Sequence, residues 1–276
     1  MINVIEDYSE DFYVIGDIHG CFNDILATLK RYDMKNVSIL VAGDCGFGFT
    51  SVDGDKFATS KLRKYAEKNN VTVYFLRGNH DNPQYFKEGF SNGKRLLCIP
   101  DYTVIISNPK GIERFKVLCI GGATSIDRSV RIGIYQKALV DYMRFHHGNE
   151  QEALKNVHKQ YWEDEAPVYD EMALDEINSL FKIDYVVTHT CPSICPPLLK
   201  DGISEWMAND KELDKDTDNE RKTMDMILKR LRDANQPLKK WVYGHFHYHN
   251  ISYINNVAYI MLDMSRNGVC DSCQLD

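Results

Sequence analysis

Five runs of β-branched and apolar residues in this chain each end in a short polar motif: Gly16-Asp17-Ile18-His19-Gly20, Gly43-Asp44, Gly78-Asn79-His80-Asp81, Thr188-His189 and Gly244-His245-Phe246-His247. Strands that repeatedly give way to polar loops constrain the fold, because open α/β sheets bind ligands outside the carboxyl ends of their strands. The glycines ahead of Asp17, Asp44, Asn79 and His245 permit sharp turns and close backbone approach. Besides His80 and Asp81, the motifs hold two aspartates, an asparagine and four imidazoles, enough oxygen and nitrogen for two divalent ions side by side. Asp17 and His19 are two apart, so on an extended strand end both side chains point the same way and can grip one ion. His245 and His247 repeat that spacing.

Apolar runs and alternation place strands at 12–15, 38–42, 71–76, 102–106, 115–120, 185–188, 241–243, 251–254 and 258–262. Helical periodicity covers 23–32, 56–68, 172–181 and 220–233, the last with a core stripe of Met224, Ile227, Leu228 and Leu231. Strand and helix alternate through the first half, which implies parallel pairing with right-handed crossovers. Closely spaced strands near the end, joined by turns such as Asn255-Asn256, make the sheet mixed. The fold class is α/β, read as a single domain over 1–276. Residues 135–170 interrupt the pattern as a helical, aromatic and charged excursion that overhangs the site. Tyr161, Trp162 and Tyr169 are expected to form a lid or wall there.

With 43% hydrophobic residues the chain can bury a full core, and 33 Lys plus Arg against 40 Asp plus Glu give a net charge of −7. That balance argues against an extended nucleic-acid track, which needs a basic stripe. The opening MINVIEDYSEDF lacks the basic flank and apolar core of a signal peptide. No stretch approaches the ~20 apolar residues of a membrane span. A cytoplasmic location without membrane association is expected. Cys21, Cys45, Cys98 and Cys119 sit in or beside apolar runs, and Cys191 and Cys195 flank a Pro-rich turn. Cys270 and Cys273 have zinc-ligand spacing but make only half a site, so all eight are read as free thiols.

The order and spacing of the five motifs resemble the calcineurin-like metallophosphoesterase superfamily, whose signature runs D-x-H, G-D, G-N-H-[DE], H and G-H-x-H. The resemblance spans residues 14–247. It implies a four-layer α/β/β/α sandwich of two mixed sheets flanked by helices. It also implies that Asp17, His19 and His247 hold one metal ion, that Asn79, His189 and His245 hold a second, and that Asp44 bridges both. Two such ions about 3.5–4 Å apart share a hydroxide nucleophile. His80, directly after a ligand, would protonate the leaving oxygen or stabilise its charge, with Asp81 orienting the ring. Arg77 occupies the position of an arginine in the protein Ser/Thr phosphatase branch. That branch continues its second motif as G-D-x-V-D-R-G, whereas this chain reads Gly43-Asp44-Cys45-Gly46-Phe47-Gly48 and lacks the second arginine. Arg128 and Arg131 are candidates to compensate as phosphate ligands, since a guanidinium clamps phosphate bidentately. The alternative is that Asp127 and Arg128 merely pair at the surface. His146, His147 and His158 read as exposed polar residues, and His249 as an outer neighbour of the cluster.

The implied activity is phosphate-ester hydrolysis by direct hydroxide attack without a covalent intermediate, with a phosphomonoesterase favoured. Alternatives are a phosphodiesterase, nuclease, or nucleotide or polyphosphate hydrolase. A different class is a non-catalytic binding scaffold on the same fold, which the complete ligand set disfavours. Nitrogen-rich ligands suit manganese, iron, zinc or nickel, and magnesium less; the ligands do not choose among the four, and manganese is the expected ion. The expected partner is a phosphorylated small molecule or a phosphoprotein, and the oligomeric state is left open.

Overall fold

The chain begins with strands β1 (Val4–Asp7) and β2 (Asp11–Ile15), helix α1 (Phe22–Arg31), β3 (Val37–Val41), α2 (Val52–Ala58), α3 (Ser60–Asn69) and β4 (Thr72–Phe75). It continues through α4 (Pro83–Lys87), β5 (Leu96–Cys98), β6 (Thr103–Ser107), β7 (Phe115–Ile120), α5 (Arg128–His146), α6 (Glu150–Asn156) and α7 (Glu171–Leu180). The last part holds β8 (Tyr185–Thr188), α8 (Ile203–Met207), α9 (Leu213–Asp233), β9 (Lys240–Tyr243), β10 (Asn250–Ile254), β11 (Val257–Met261) and β12 (Ser272–Leu275). This computed structural model describes residues 2–197 and 203–276.

The strands form two mixed sheets. The larger has the order β1-β6-β7-β8-β9-β11-β10, antiparallel at β6–β7 and β11–β10 and parallel elsewhere. The smaller is β12-β2-β3-β4-β5, with only β12 antiparallel. Side-chain alternation sorts each strand between two cores. From β3, Ile39 and Val41 turn towards α1 and α3, while Leu40 turns inward to meet the other sheet. The inter-sheet core joins Val14, Leu40 and Leu76 to Val117, Val187 and Val242. On the far face of the large sheet, Leu174 and Ile177 of α7 and Met224, Ile227, Leu228 and Leu231 of α9 cover Trp241 and Tyr243. The four layers are therefore helix, sheet, sheet, helix.

Several boundaries differ from expectation. The helix expected over 56–68 is two helices, broken at Thr59, whose hydroxyl donates to the Asp55 carbonyl at 2.7 Å. Strands β1, β5 and β12 are short and carry no clear apolar alternation, which is why periodicity does not reveal them. Strand β12 holds Cys273, and Cys270 is buried beside α1 with its amide donating to Thr28 Oγ1 at 3.2 Å. Cys21 is exposed at the start of α1, contrary to the burial its neighbours suggest. The excursion begins earlier than expected, with α5 starting at Arg128, and its helical part ends at α6. Among the described residues no helix is long and apolar enough to cross a membrane.

A candidate dinuclear metal centre

The loops after β2, β3 and β4 of the small sheet and after β8 and β9 of the large sheet meet on one rim. His19, Asp44, His245 and His247 all have φ between +44° and +71°. Such backbone costs a non-glycine residue of order 1–3 kcal/mol and clusters at functional sites. It also replaces the extended geometry expected for Asp17 and His19, because β2 stops at Ile15 and the chain turns at His19. Close approach explains two of the glycines. A Cβ on Gly78 would lie 2.1 Å from Oδ1 of Asp44, and one on Gly244 would lie 2.1 Å from Oδ1 of Asp17.

Asp17, His19, Asp44 and His247 each present a donor atom within 4.8 Å of the others, and Asp44, His189 and His245 do the same. Asp44 belongs to both groups. Oδ1 of Asn79 joins the second, 3.0 Å from Nε2 of His189. The donor chemistry can be tested for its fit to cations. His189 donates through Nδ1 to the Ala42 carbonyl at 2.7 Å, so its Nε2 lone pair faces Asp44 Oδ1 at 3.1 Å. His19 and His247 turn Nε2 atoms towards each other at 3.0 Å, and His247 Nε2 stands 3.1 Å from Asp17 Oδ2. Acceptors converging on acceptors require a cation, or a proton in its place, between them. Burial works to lower the His189 pKa, but the Asp44 and Asp17 carboxylates outweigh it and raise it to about 9. Burial would raise Asp44, yet the facing imidazoles of His189 and His80 hold it well below the usual carboxylate range. The residues fit two divalent ions.

His80 is half-buried at the mouth of this cluster, its amide donating to Asp44 Oδ1 at 2.7 Å. Arg131 donates from Nη2 to its Nδ1 at 3.0 Å, so that nitrogen accepts and Nε2 carries the ring proton. Burial, opposed by Asp44 and reinforced by Arg131, lowers the His80 pKa to about 4. The ring is a neutral donor, which does not suit it to the expected protonation of a leaving oxygen. Asp81 does not orient it. Its side chain turns under the preceding loop and accepts the amides of Cys45, Gly46, Phe47 and Gly78 at 2.7–3.0 Å. Burial and the Asp44 charge raise its pKa to about 7 against those hydrogen bonds. Asp81 lashes the Asp44 loop to the Asn79 loop.

Of the three candidate phosphate arginines, one faces the site. Arg77 is buried and engaged elsewhere: Nε donates to Asp101 at 2.9 Å, Nη1 to the Glu165 carbonyl at 2.6 Å and Nη2 to the Ala166 carbonyl at 3.1 Å. It clamps the end of the excursion, which corrects its expected role. Arg128 is likewise taken, by Asp210 at 2.5 Å and Asp216 at 2.7 Å, because its position at the start of α5 faces the acidic start of α9. Its partners are these and not Asp127. Arg131, one turn further along α5, reaches His80 and Ser125.

Three groups that the motifs do not single out hold the rim together. Glu220 of α9 accepts the Thr124 amide at 2.5 Å and the Thr190 hydroxyl, tying the β7 loop to the β8 loop. Ser125 accepts from Nδ2 of Asn79 at 2.9 Å and donates to Glu165 at 2.6 Å. Burial raises Glu165 to about 8, opposed by Ser125 and the Arg131 charge. One carboxyl in the acidic run Glu163-Asp164-Glu165 gives no periodic signal of its own, and only its burial marks it. Trp162 is buried edge-on against Phe49, and Arg131 lies over that ring 5.6 Å from its centroid. Tyr169 packs with the α7 layer instead. His249 pairs with Asp271 at 2.7 Å on the exposed side. A cleft of about 470 Å³ opens beside His245, lined among others by Thr124, Asp218, Glu220, Arg221 and Phe246.

No curated protein matches the chain. Among solved structures it is similar to a dimetal phosphatase from Danio rerio, at 12% identity and a TM-score of 0.52 over 96% of this chain and 92% of that one. The anchor protein GAP50 of Plasmodium follows at 16% identity and 0.42, covering 91% and 70%. The phosphopantetheinyl hydrolase of Mycobacterium tuberculosis gives 14% and 0.39, covering 94% and 91%. At these identities the first likeness concerns the fold alone, and the lower scores add nothing to it. The profile of the calcineurin-like phosphoesterases matches residues 11–251, from the first residue of β2 through the last motif, and the chain belongs to that family.

Proposed function

We propose that this chain is a dinuclear metal-dependent phosphomonoesterase acting on a phosphorylated small molecule. The observation that carries it is the pair of donor groups sharing Asp44. Asp17, His19, Asp44 and His247 would hold one ion, and Asp44, Asn79, His189 and His245 the other. Bound there, two divalent ions supply Lewis acidity and an activated water. Two dications against two carboxylates leave the rim positive, and Arg131 adds a guanidinium beside His80. That excess favours the doubly charged phosphate of a monoester over the single charge of a diester. His80 directs its Nε2–H at the phosphoryl group and helps hold it. Trp162, Phe49 and Arg131 form one wall that limits substrate size. The cleft beside His245 is lined by both signs of charge, which suits a compact polar leaving group and not a polyanion.

Manganese is the ion to supply first, and iron, zinc and nickel suit the mixed nitrogen and oxygen donors as well. Free thiols throughout are in keeping with a reducing, cytoplasmic setting. The test is a panel of monoesters and diesters with each metal supplied in turn. A kcat/KM at least about tenfold higher for monoesters, ~1.4 kcal/mol, is expected. Preference for diesters would move the assignment to a phosphodiesterase. No turnover of either by protein holding two ions would leave a binding scaffold.

A further inference from the structure

The excursion delivers one buried carboxylate to the metal rim. Glu165 is 2% exposed and accepts two bonds from Ser125, the amide on Oε1 at 2.6 Å and the hydroxyl on Oε2 at 2.6 Å. Its own carbonyl is gripped by Arg77, so it is fixed at both ends. The two bonds determine which way a neighbouring amide turns. A serine hydroxyl has one proton, and the ionised Glu165 carboxylate, which can only accept, takes it. The oxygen then offers only lone pairs to its remaining neighbours, Nδ2 of Asn79 at 2.9 Å and Nη1 of Arg131 at 3.2 Å. Asn79 must therefore show its NH₂ to Ser125, which leaves Oδ1 facing the ion site, 3.0 Å from Nε2 of His189. Were the hydroxyl proton aimed at Asn79, the amide would turn over and present an NH₂, which has no lone pair to coordinate a cation.

We propose that Glu165 is a positioning residue that, through Ser125, sets the Asn79 amide with its oxygen towards the second ion. The inference rests on the two-ion reading above. It gives the excursion a role in assembling the centre beyond walling the substrate. Groups that bond a metal ligand directly, as Ser125 bonds Asn79, are typically worth about 10–100-fold in metal affinity, and Glu165 acts through that bond.

The test is titration of metal-free protein with Mn²⁺, following stoichiometry by elemental analysis and the spin-coupled pair by electron paramagnetic resonance. In E165Q the amide of the new side chain donates to Ser125, reversing the hydroxyl. The affinity of one site is expected to fall about 10–100-fold, the coupled-pair signal to fade at limiting metal, and the other site to keep its affinity. S125A should lose the same step, and E165Q/S125A should lose no more than either alone, since all three break one relay. If E165Q fails to fold, S125A carries the test, because it removes a single oxygen. Equal weakening of both sites, or unchanged affinity in a folded variant, overturns the proposal. Fewer than two ions in the unaltered protein would instead overturn the two-ion reading.

Discussion

The small sheet supplies the oxygens of the centre, Asp17, Asp44 and Asn79, along with His19, whereas the large sheet supplies only imidazoles, His189, His245 and His247. Neither half has a complete site. Each donor group crosses the sheet interface, and so do the bonds that steady it. His189 donates back to the Ala42 carbonyl, and the His245 amide donates to both oxygens of Asp17 at 3.1 Å. The bracing also differs. Asp81 ties the small-sheet loops together from within that sheet, while Glu220 reaches across from a helix to tie the large-sheet loops. Metal binding and the packing of the two sheets are consequently one linked equilibrium.

That asymmetry can be broken most directly at Asp44, the donor common to both groups. Asp44→Asn is expected to lower kcat more than about 10³-fold, ~4 kcal/mol, and to reduce stoichiometry below two ions. His247→Ala should cost only the first site. Equal loss of both ions in the two variants, measured by elemental analysis, would show that Asp44 is no bridge.

A smaller loss is expected at His80. His80→Ala should retain both ions and lose about 10²-fold in kcat. Because burial, reinforced by Arg131, keeps the ring neutral, the loss should be even across alkyl and aryl esters. A steeper loss for alkyl esters, whose leaving oxygen needs a proton, would restore the role of general acid.

The linkage between sheets is read from thermal unfolding. Each ion at a hundred times its Kd should add about 2.7 kcal/mol. The pH dependence has a definite sign. Asp81, Glu165 and His189 rise to about 7, 8 and 9 in the folded protein, so folding takes up protons and their contribution is lost as pH climbs. His80, lowered to about 4, acts in the opposite sense only below its ordinary 6.5. Metal-free protein should therefore lose stability from about pH 6.5 to about 9. Ion-loaded protein, in which a cation takes the place of the His189 proton, should lose less over that range. Parallel melting curves for the two forms would uncouple the centre from the fold.

The smallest effect is expected at His249, which continues the alternation of His245 and His247 but pairs with Asp271 outside the centre. His249→Ala should change activity by less than about twofold, in the range of an exposed ion pair. A loss of metal would place it among the ligands after all.

What the sequence determined by itself is the set of strand-end motifs and, with them, the layered fold. Both depend on local patterns, apolar runs followed by polar turns, that survive without knowledge of neighbours. Asp17, His19, Asp44, Asn79, His189, His245 and His247 were legible for that reason, and the structure brings their donor atoms together. The tertiary structure decided what lies between the motifs. Whether Asp81 faces His80 or the backbone amides, and whether Arg77, Arg128 or Arg131 faces the site, depends on partners as far as 24 to 89 residues away. A charged side chain in the interior takes whichever counter-group the fold brings near, because leaving it unpaired there costs more than any local preference. Glu165, Ser125 and Glu220 show the same rule from the other side. Nothing in their immediate sequence marks them, and only burial among distant donors gives each its place on the rim.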